Sequence, residues 1–185
     1  MSYSLGLDIS TSCTGWCIVD AQGTFVNMGY IPLSAKLPPY QKALEVQDVL
    51  TSLHTTYNIT KIFIEENLQA FRPGFSSAKT LLTLARFNGI ISHLTQQEFS
   101  CEPVYINVNA ARKAVGLKII SKRKGGKPTK EQVFDWVSHK VIFPWPEKIL
   151  KSGPRKGQKI LEPGCFDAAD AYVVATAGSL MPFTQ

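Results

Sequence analysis

The sequence has few features that would support a disulfide framework, a zinc site or a membrane span. Its four cysteines (Cys13, Cys17, Cys101 and Cys165) form no Cys-x-x-Cys pair, and no histidine stands at metal-ligand spacing from them. This pattern argues against zinc and favours free, buried or partly buried thiols. The longest nearly apolar run, residues 171–177, is far shorter than the about 20 residues that span a bilayer, so no membrane partner is expected. The first residues lack the charged and apolar regions of a signal peptide, which predicts a cytoplasmic protein.

The charges of the chain are unevenly distributed. The 185 residues are predicted to form one domain, residues 1–185, with a formal net charge of +6. Residues 112–159 hold 14 Lys and Arg against three acids, an excess of +11, and the remainder of the chain carries −5. A basic segment beside an acidic remainder is typical of a protein that binds a polyanion with one surface. An ordinary solvated loop is the alternative explanation of this charge run.

The pattern of apolar residues predicts a mixed sheet covered by helices. Three early strands are joined by short connections and so form an antiparallel meander. Asn109 is expected to cap a short helix that ends near Val115. Residues 122–127 are expected to form a flexible basic loop, and residues 143–164, with four prolines and three glycines, a second loop. The predicted strands span residues 3–8, 14–20, 24–31, 61–65 and 103–108, and the longer predicted helices span residues 40–57, 76–97, 128–141 and 166–180.

Acidic side chains stand at the ends of these elements. Asp8 closes the first strand, Glu65 and Glu66 close the fourth, and Asp167 and Asp170 lie three residues apart in the first turn of the last helix. If the first and fourth strands are neighbours, these acids can converge, and oxygen ligands without His or Cys select Mg²⁺ or Mn²⁺. Only one of the two glutamates should ligate, and the pattern does not choose between them. Acids in a first helical turn are also ordinary helix caps.

Four short motifs run in order over nearly the whole chain. They are Leu-Gly-Leu-Asp (5–8), Thr-Gly-Trp (14–16), Phe-Ile-Glu (63–65) and Asp-Ala-Ala-Asp-Ala (167–171). Together they resemble the RuvC family of Holliday junction resolvases, which belong to the ribonuclease H-like superfamily. The resemblance implies an α/β, ribonuclease H-like fold, with a five-stranded mixed sheet of three antiparallel and then two parallel strands flanked by helices. It also implies a homodimer that binds a four-way DNA junction and nicks one strand at each site.

The resemblance assigns roles to individual residues. Glu65 rather than Glu66 would ligate Mg²⁺, for which Mn²⁺ would substitute. Lys130 resembles the family's lysine near the scissile phosphate, and Arg112 or Lys113 resembles a second basic residue there. The implied catalytic and metal-binding acids are Asp8, Glu65, Asp167 and Asp170. The residues expected to bind DNA phosphates are Arg112, Lys113, Lys118, Lys122, Arg123, Lys124, Lys127 and Lys130.

Three features depart from the cellular members of the family. Residues 9–12 read Ile-Ser-Thr-Ser where the bacterial enzymes usually carry Pro-Gly, and the expected aromatic wedge falls on Leu68, with Phe71 the nearest ring. Residues 122–127 and 148–159 look like basic additions. These features resemble the divergent resolvases of bacteriophages, which would act in the host cytoplasm. They predict cleavage of forks as well as four-way junctions, and they argue against a preferred cleavage sequence and against a helicase partner.

The sequence therefore predicts a Mg²⁺-dependent, structure-selective DNA endonuclease that resolves Holliday junctions and other branched DNA by paired nicks. One alternative is a non-catalytic junction-binding protein of the same fold, which would keep the basic segment and tolerate loss of the acids. A second alternative is an actin-like or sugar-kinase-like ATP-binding domain, because residues 6–11 loosely resemble a phosphate-binding strand and turn. Such folds need two domains of this kind and a much longer chain.

Overall fold

The computed structural model describes residues 1–66 and 78–182. The strands of its main sheet are β1 (Tyr3–Ile9), β2 (Cys13–Asp20), β3 (Phe25–Pro32), β4 (Ile59–Glu65) and β5 (Val104–Ile106). The helices are α1 (Pro39–Thr56), α2 (Ala78–Phe99), α3 (Val108–Ala114), α4 (Thr129–Ser138) and α5 (Gly164–Leu180). The strand order is β3-β2-β1-β4-β5, with β3, β2 and β1 antiparallel and with β4 and β5 parallel to β1. The predicted α/β fold with a mixed five-stranded sheet is confirmed.

Alternation along β1 directs Asp8 to the face of the sheet that α5 covers. Leu5 and Leu7 are fully buried in a core that the sheet forms with α1 and α2. Gly6 faces the opposite side, where an added Cβ would lie 2.6 Å from the backbone oxygen of Ala171 in α5. Since side chains in a strand alternate between faces, Asp8 shares the face of Gly6. The first acid is therefore directed towards α5.

The same alternation along β4 distinguishes the two glutamates. Ile64 is buried on the α1 and α2 side, whereas Phe63 packs on α5, where a Cβ at Gly178 would lie 2.2 Å from its ring. Glu65 has the same parity as Phe63 and so faces α5, and alternation directs Glu66 to the other side. The register pairs residue 7 of β1 with residue 64 of β4, which brings the next residues, Asp8 and Glu65, to the same level of the sheet.

Helix α5 lies very close to β1 and β2 because glycines of these strands face alanines of the helix. Ala168, Ala171 and Ala175 are fully buried. An added Cβ at Gly15 of β2 would lie 2.0 Å from the backbone oxygen of Asp167, so the first turn of α5 presses directly on β2. This contact holds the beginning of the helix, and with it the two aspartates, against the ends of the strands.

The structure corrects the predicted cap of α3 and the description of the first basic loop. Asn107, not Asn109, caps α3, because its Oδ1 accepts hydrogen bonds from the backbone nitrogens of Asn109 and Ala110 at 3.0 and 3.4 Å. Within the first basic loop, residues 122–124 form a 3₁₀ turn. The Gln132 side chain of α4 accepts from the nitrogen of Ile120 at 2.8 Å and donates to its oxygen at 2.9 Å. Gln132 Nε2 also donates to the oxygen of Lys127 at 2.7 Å, so the end of the loop is tied to α4.

The structure also corrects the second predicted loop and one helix end. Residues 143–164 contain an antiparallel hairpin of β6 (Glu147–Ile149) and β7 (Lys159–Leu161). Strands of three residues between prolines and glycines leave no measurable alternation, so the pattern could not reveal them. Helix α4 ends at Ser138, earlier than the predicted residue 141. In the described ranges, no helix combines the length and apolar character needed to cross a membrane.

Candidate active site

An open cavity of about 1050 Å³ lies where β1 and β4 end and α5 begins. It brings together all four acids that the sequence analysis predicted, although they come from three distant parts of the chain. The charged residues that line it are Asp8, Glu65, Arg112, Lys130, Lys148, Glu162, Asp167 and Asp170. The predicted convergence of the acids is therefore present in the structure, while their roles in binding metal and in catalysis stay predictions.

Burial and mutual repulsion make three of these carboxylates difficult to ionise. The pKa of Asp8 lies well above its usual value because the group is buried and because Glu65, Asp170 and Asp167 are close. The pKa of Glu65 is raised to about 7, first by burial and then by the charge of Asp170, with Arg112 opposing the rise. Burial also raises the pKa of Asp170, and Arg112 again opposes it. Such a cluster of carboxylates has a strong electrostatic affinity for positive charge.

Two basic side chains supply positive charge to the aspartates of α5. Lys130 Nζ donates to Asp167 Oδ1 at 3.0 Å, while 61% of the lysine side chain stays exposed. Burial lowers the pKa of Lys130, but the charge and hydrogen bond of Asp167 outweigh it and raise the pKa overall. Arg112 Nη2 lies 3.5 Å from Asp170 Oδ1, and its side chain is only 18% exposed. The arginine is therefore the more enclosed partner and the lysine the more exposed one.

The donors in the cavity fit a hard divalent cation. Across residues 1–66 and 78–182, no group of three or more His, Cys, Asp or Glu side chains is arranged to hold a metal ion with the side chains as they stand. Lys130 and Arg112 pair with the aspartates instead. Cys13 also lines the cavity, where burial and the nearby Asp167 raise the pKa of its thiol to about 12, so the thiol is protonated in the metal-free site. The remaining side-chain donors are oxygens of carboxylates and of a few hydroxyl groups, and carboxylate oxygens are the ligands that Mg²⁺ and Mn²⁺ prefer.

The other predicted DNA-binding residues lie outside this cavity. Lys113 and Lys118 are exposed and line a smaller depression beside α3, so of the two candidates Arg112 and Lys113 it is Arg112 that reaches the acids. Lys127 is exposed and pairs with Asp135 at 2.7 Å. The 3₁₀ turn of Lys122, Arg123 and Lys124 is fully exposed. Whether these residues bind DNA stays a prediction.

Sequence reasoning missed two parts of the cavity wall. Lys148 and Glu162 line it and lie 3.3 Å apart at the base of the hairpin, which no periodicity indicated. The Ser10 hydroxyl, also on the cavity wall, accepts from the nitrogen of Cys13 at 3.1 Å and donates to its oxygen at 2.7 Å. The turn after Asp8 is therefore closed by a serine side chain. The wedge positions, Leu68 and Phe71, lie outside the described residues.

Comparison with known proteins agrees with this geometry. No protein-family model matches the sequence. The crossover junction endodeoxyribonuclease RuvC of Aliarcobacter butzleri is 31% identical over 132 residues, which are 70% of this chain and 77% of that protein. The structure of Thermus thermophilus RuvC with a Holliday junction substrate is 12% identical, with a TM-score of 0.59 over 96% of this chain and 92% of its own. The yeast mitochondrial Holliday junction resolvase is 15% identical, with a TM-score of 0.56 over 96% of this chain and 78% of its own.

These solved structures share the fold of this chain, and the bacterial relative is similar to it in sequence over 77% of its own length. This chain combines the main sheet with acids at the ends of its strands and with the alanine-rich helix α5. On the strength of that sequence identity and coverage, this chain belongs to the RuvC family of Holliday junction resolvases.

Proposed function

We propose that this protein is a structure-selective DNA endonuclease that resolves four-way junctions by paired nicks. The observation that carries the proposal is the convergence of four carboxylates from β1, β4 and α5 in one open cavity. Membership of the RuvC family supports it, since the bacterial relative is a crossover junction endodeoxyribonuclease. The structure of the Thermus thermophilus protein contains a Holliday junction substrate, which supports branched DNA as the ligand.

The proposed cofactor is Mg²⁺, with Mn²⁺ as a substitute. Asp8, Glu65, Asp167 and Asp170 would hold it, because their repulsion is relieved when positive charge lies among them. Bound divalent ions would supply an activated water for attack on phosphorus and would stabilise the leaving oxygen. The products expected from the family are nicks with 5′-phosphate and 3′-hydroxyl ends.

The two basic side chains have different parts in this proposal. Lys130 is largely exposed and contacts Asp167 through a single hydrogen bond, so it can turn from that carboxylate to a DNA phosphate. There its charge would stabilise the additional negative charge of the transition state. Arg112 is mostly buried and opposes the rise that burial causes in the pKa of Asp170, so it favours the ionised carboxylate and would hold it in place. Lys130 therefore acts on the phosphate, and Arg112 is a positioning residue.

The proposed substrate binds across the basic segment of the chain. The first basic loop, residues 122–127, and Lys118 before it would contact phosphates on either side of the cleaved bond, which gives affinity without sequence preference. Two symmetric nicks need two cavities, which a homodimer of the single domain 1–185 would supply. Forks are expected as additional substrates, and the proposal includes no helicase partner.

The variant Asp8→Asn tests the proposal against the alternative of a non-catalytic junction-binding protein. The nuclease should lose cleavage of a labelled four-way junction in Mg²⁺ and keep junction binding, because an isosteric amide removes one metal ligand and leaves the basic surface intact. If wild type binds the junction and leaves it whole in Mg²⁺, the alternative is correct. Equal cleavage of forks and four-way junctions is expected, and cleavage of four-way junctions alone would contradict the broader selectivity.

A further inference from the structure

A basic hairpin, residues 147–161, begins at the wall of the active-site cavity and extends away from it. Its strands pair residue 147 with 161 and residue 149 with 159. Lys148 in the first strand lines the cavity together with Glu162, which follows the second strand. The connecting segment, residues 150–158, is exposed along almost its whole length. The base of the hairpin is therefore part of the cavity wall, and its tip lies in solvent.

The charges of the hairpin are divided between its base and its tip. The two acids at the base are both paired, since Lys148 Nζ lies 3.3 Å from Glu162 Oε2 and Lys159 contacts Glu147. The tip holds Lys151, Arg155 and Lys156 and has no acid. None of these three forms an ion pair with any residue that the structure describes. The tip of the hairpin therefore carries three positive charges that no ion pair within the described residues compensates.

The tip has a defined backbone shape. The nitrogen of Leu150 donates to the oxygen of Gln158 at 3.0 Å, and the nitrogen of Gly157 donates to the oxygen of Leu150 at 2.9 Å. Gly153 and Gly157 have φ values of +82° and +87°, which side-chain-bearing residues rarely adopt. These turns hold the basic residues on a short, structured connection, which reduces the entropy lost when they bind a ligand.

We propose that the hairpin of residues 147–161 is a second DNA-binding element, which holds the phosphate backbone of a DNA arm beside the strand in the cavity. This inference rests on the proposed function, because Lys148 joins the hairpin to a cavity that would hold DNA. Three exposed cations on a fixed turn suit a row of phosphates, and such contacts position DNA without reading its sequence. The catalytic acids act on the bond to be cleaved, whereas the hairpin would orient the arm next to it.

Removing charge from the tip tests the inference. The variant Arg155→Ser/Lys156→Ser removes one arginine and one lysine from the tip. The matched control Lys61→Ser/Arg86→Ser removes the same charges from the beginning of β4 and from the exposed side of α2. Binding of a labelled four-way junction is measured in EDTA at 50 and 200 mM salt, so that cleavage does not enter the result.

The tip variant should bind more weakly and with less salt dependence than wild type. Two lost phosphate contacts reduce the slope of log K against log salt by about 1.8, so raising the salt fourfold should weaken wild type about tenfold more than the variant. The control should behave as wild type does. The swap Arg155→Lys/Lys156→Arg keeps both charges and should keep wild-type affinity.

Two results would overturn the inference. If the tip variant and the control bind alike, the hairpin does not contact DNA, and Mg²⁺-dependent cleavage by both would leave the proposed function intact. If the charge-preserving swap binds as weakly as the serine variant, the loss comes from a changed shape and not from phosphate contacts. If instead wild type binds through the tip but cleaves no branched DNA in Mg²⁺, the proposed function fails while the hairpin contact is supported.

Discussion

The clustered acids should reduce the stability of the metal-free protein, and Glu65→Gln should restore it. The pKa of Glu65 is raised from 4.5 to about 7 by burial and by the charge of Asp170. The folded protein holds the Glu65 proton more tightly than the unfolded chain does. The stability of the folded state is therefore fully present below pH 4.5, and part of it is lost as pH rises through 7. At about 1.4 kcal/mol per pH unit, the free energy of unfolding falls by roughly 3 kcal/mol over this interval. Glutamine does not ionise and should avoid the loss.

Urea unfolding in EDTA at pH 4.5 and pH 8 measures this effect. Glu65→Gln should match wild type at pH 4.5 and exceed it by about 3 kcal/mol at pH 8. The control Glu66→Gln changes a carboxylate that does not line the cavity and should show no such gain at pH 8. Added Mg²⁺ should stabilise wild type more than Glu65→Gln. A variant that is less stable than wild type at pH 8 would refute the reasoning that repulsion and burial strain this site.

Two further substitutions test how the cavity is held together. Arg112→Ala should slow junction cleavage at saturating DNA by about tenfold or more, equivalent to at least about 1.4 kcal/mol in the activation free energy. Replacing the exposed neighbour, Lys113→Ala, should change the cleavage rate much less. Equal effects of the two variants in a single-turnover assay would contradict the assigned positions. Gly15→Ala should lower the free energy of unfolding by about 1–3 kcal/mol and reduce cleavage, because its Cβ would lie 2.0 Å from the backbone oxygen of Asp167. Gly89→Ala in α2, where an added Cβ would have nothing within 4 Å, should raise the free energy of unfolding by about 0.5–1 kcal/mol. Thermal unfolding that ranks the two variants the other way would contradict this packing.

The main sheet and the meeting of the acids could be predicted because they depend on regular patterns. The short early connections indicated a meander, and the apolar run ending in Glu65 indicated a buried strand, both of which the structure contains. The resemblance to RuvC selected Glu65 over Glu66, and the parity of β4 provides the physical reason, since Glu65 shares the face of Phe63. Asp167 and Asp170 share one helix face simply because they are three residues apart.

Other features depend on contacts that no local pattern carries. Arg112 and Lys113 are adjacent in α3, and only the packing of that helix on α5 decides which of them reaches Asp170. The hairpin has strands of only three residues and turns with positive-φ glycines. No alternation of apolar residues predicted these strands, and the prolines and lysines of the segment indicated a loop. Asn107 and Asn109 have the same side chain and are equally suitable caps, and the backbone conformation at the start of α3 places Asn107 at the cap position.

The central claim is that four carboxylates from distant parts of the chain act together with divalent metal on branched DNA. A labelled four-way junction incubated with the wild-type protein in Mg²⁺, in Ca²⁺ and in EDTA tests it most directly. Paired nicks with 5′-phosphate ends should form in Mg²⁺, while the junction should be bound but uncut in EDTA. Equal cleavage in Mg²⁺ and in EDTA, or a bound junction that stays whole in Mg²⁺, would contradict the account.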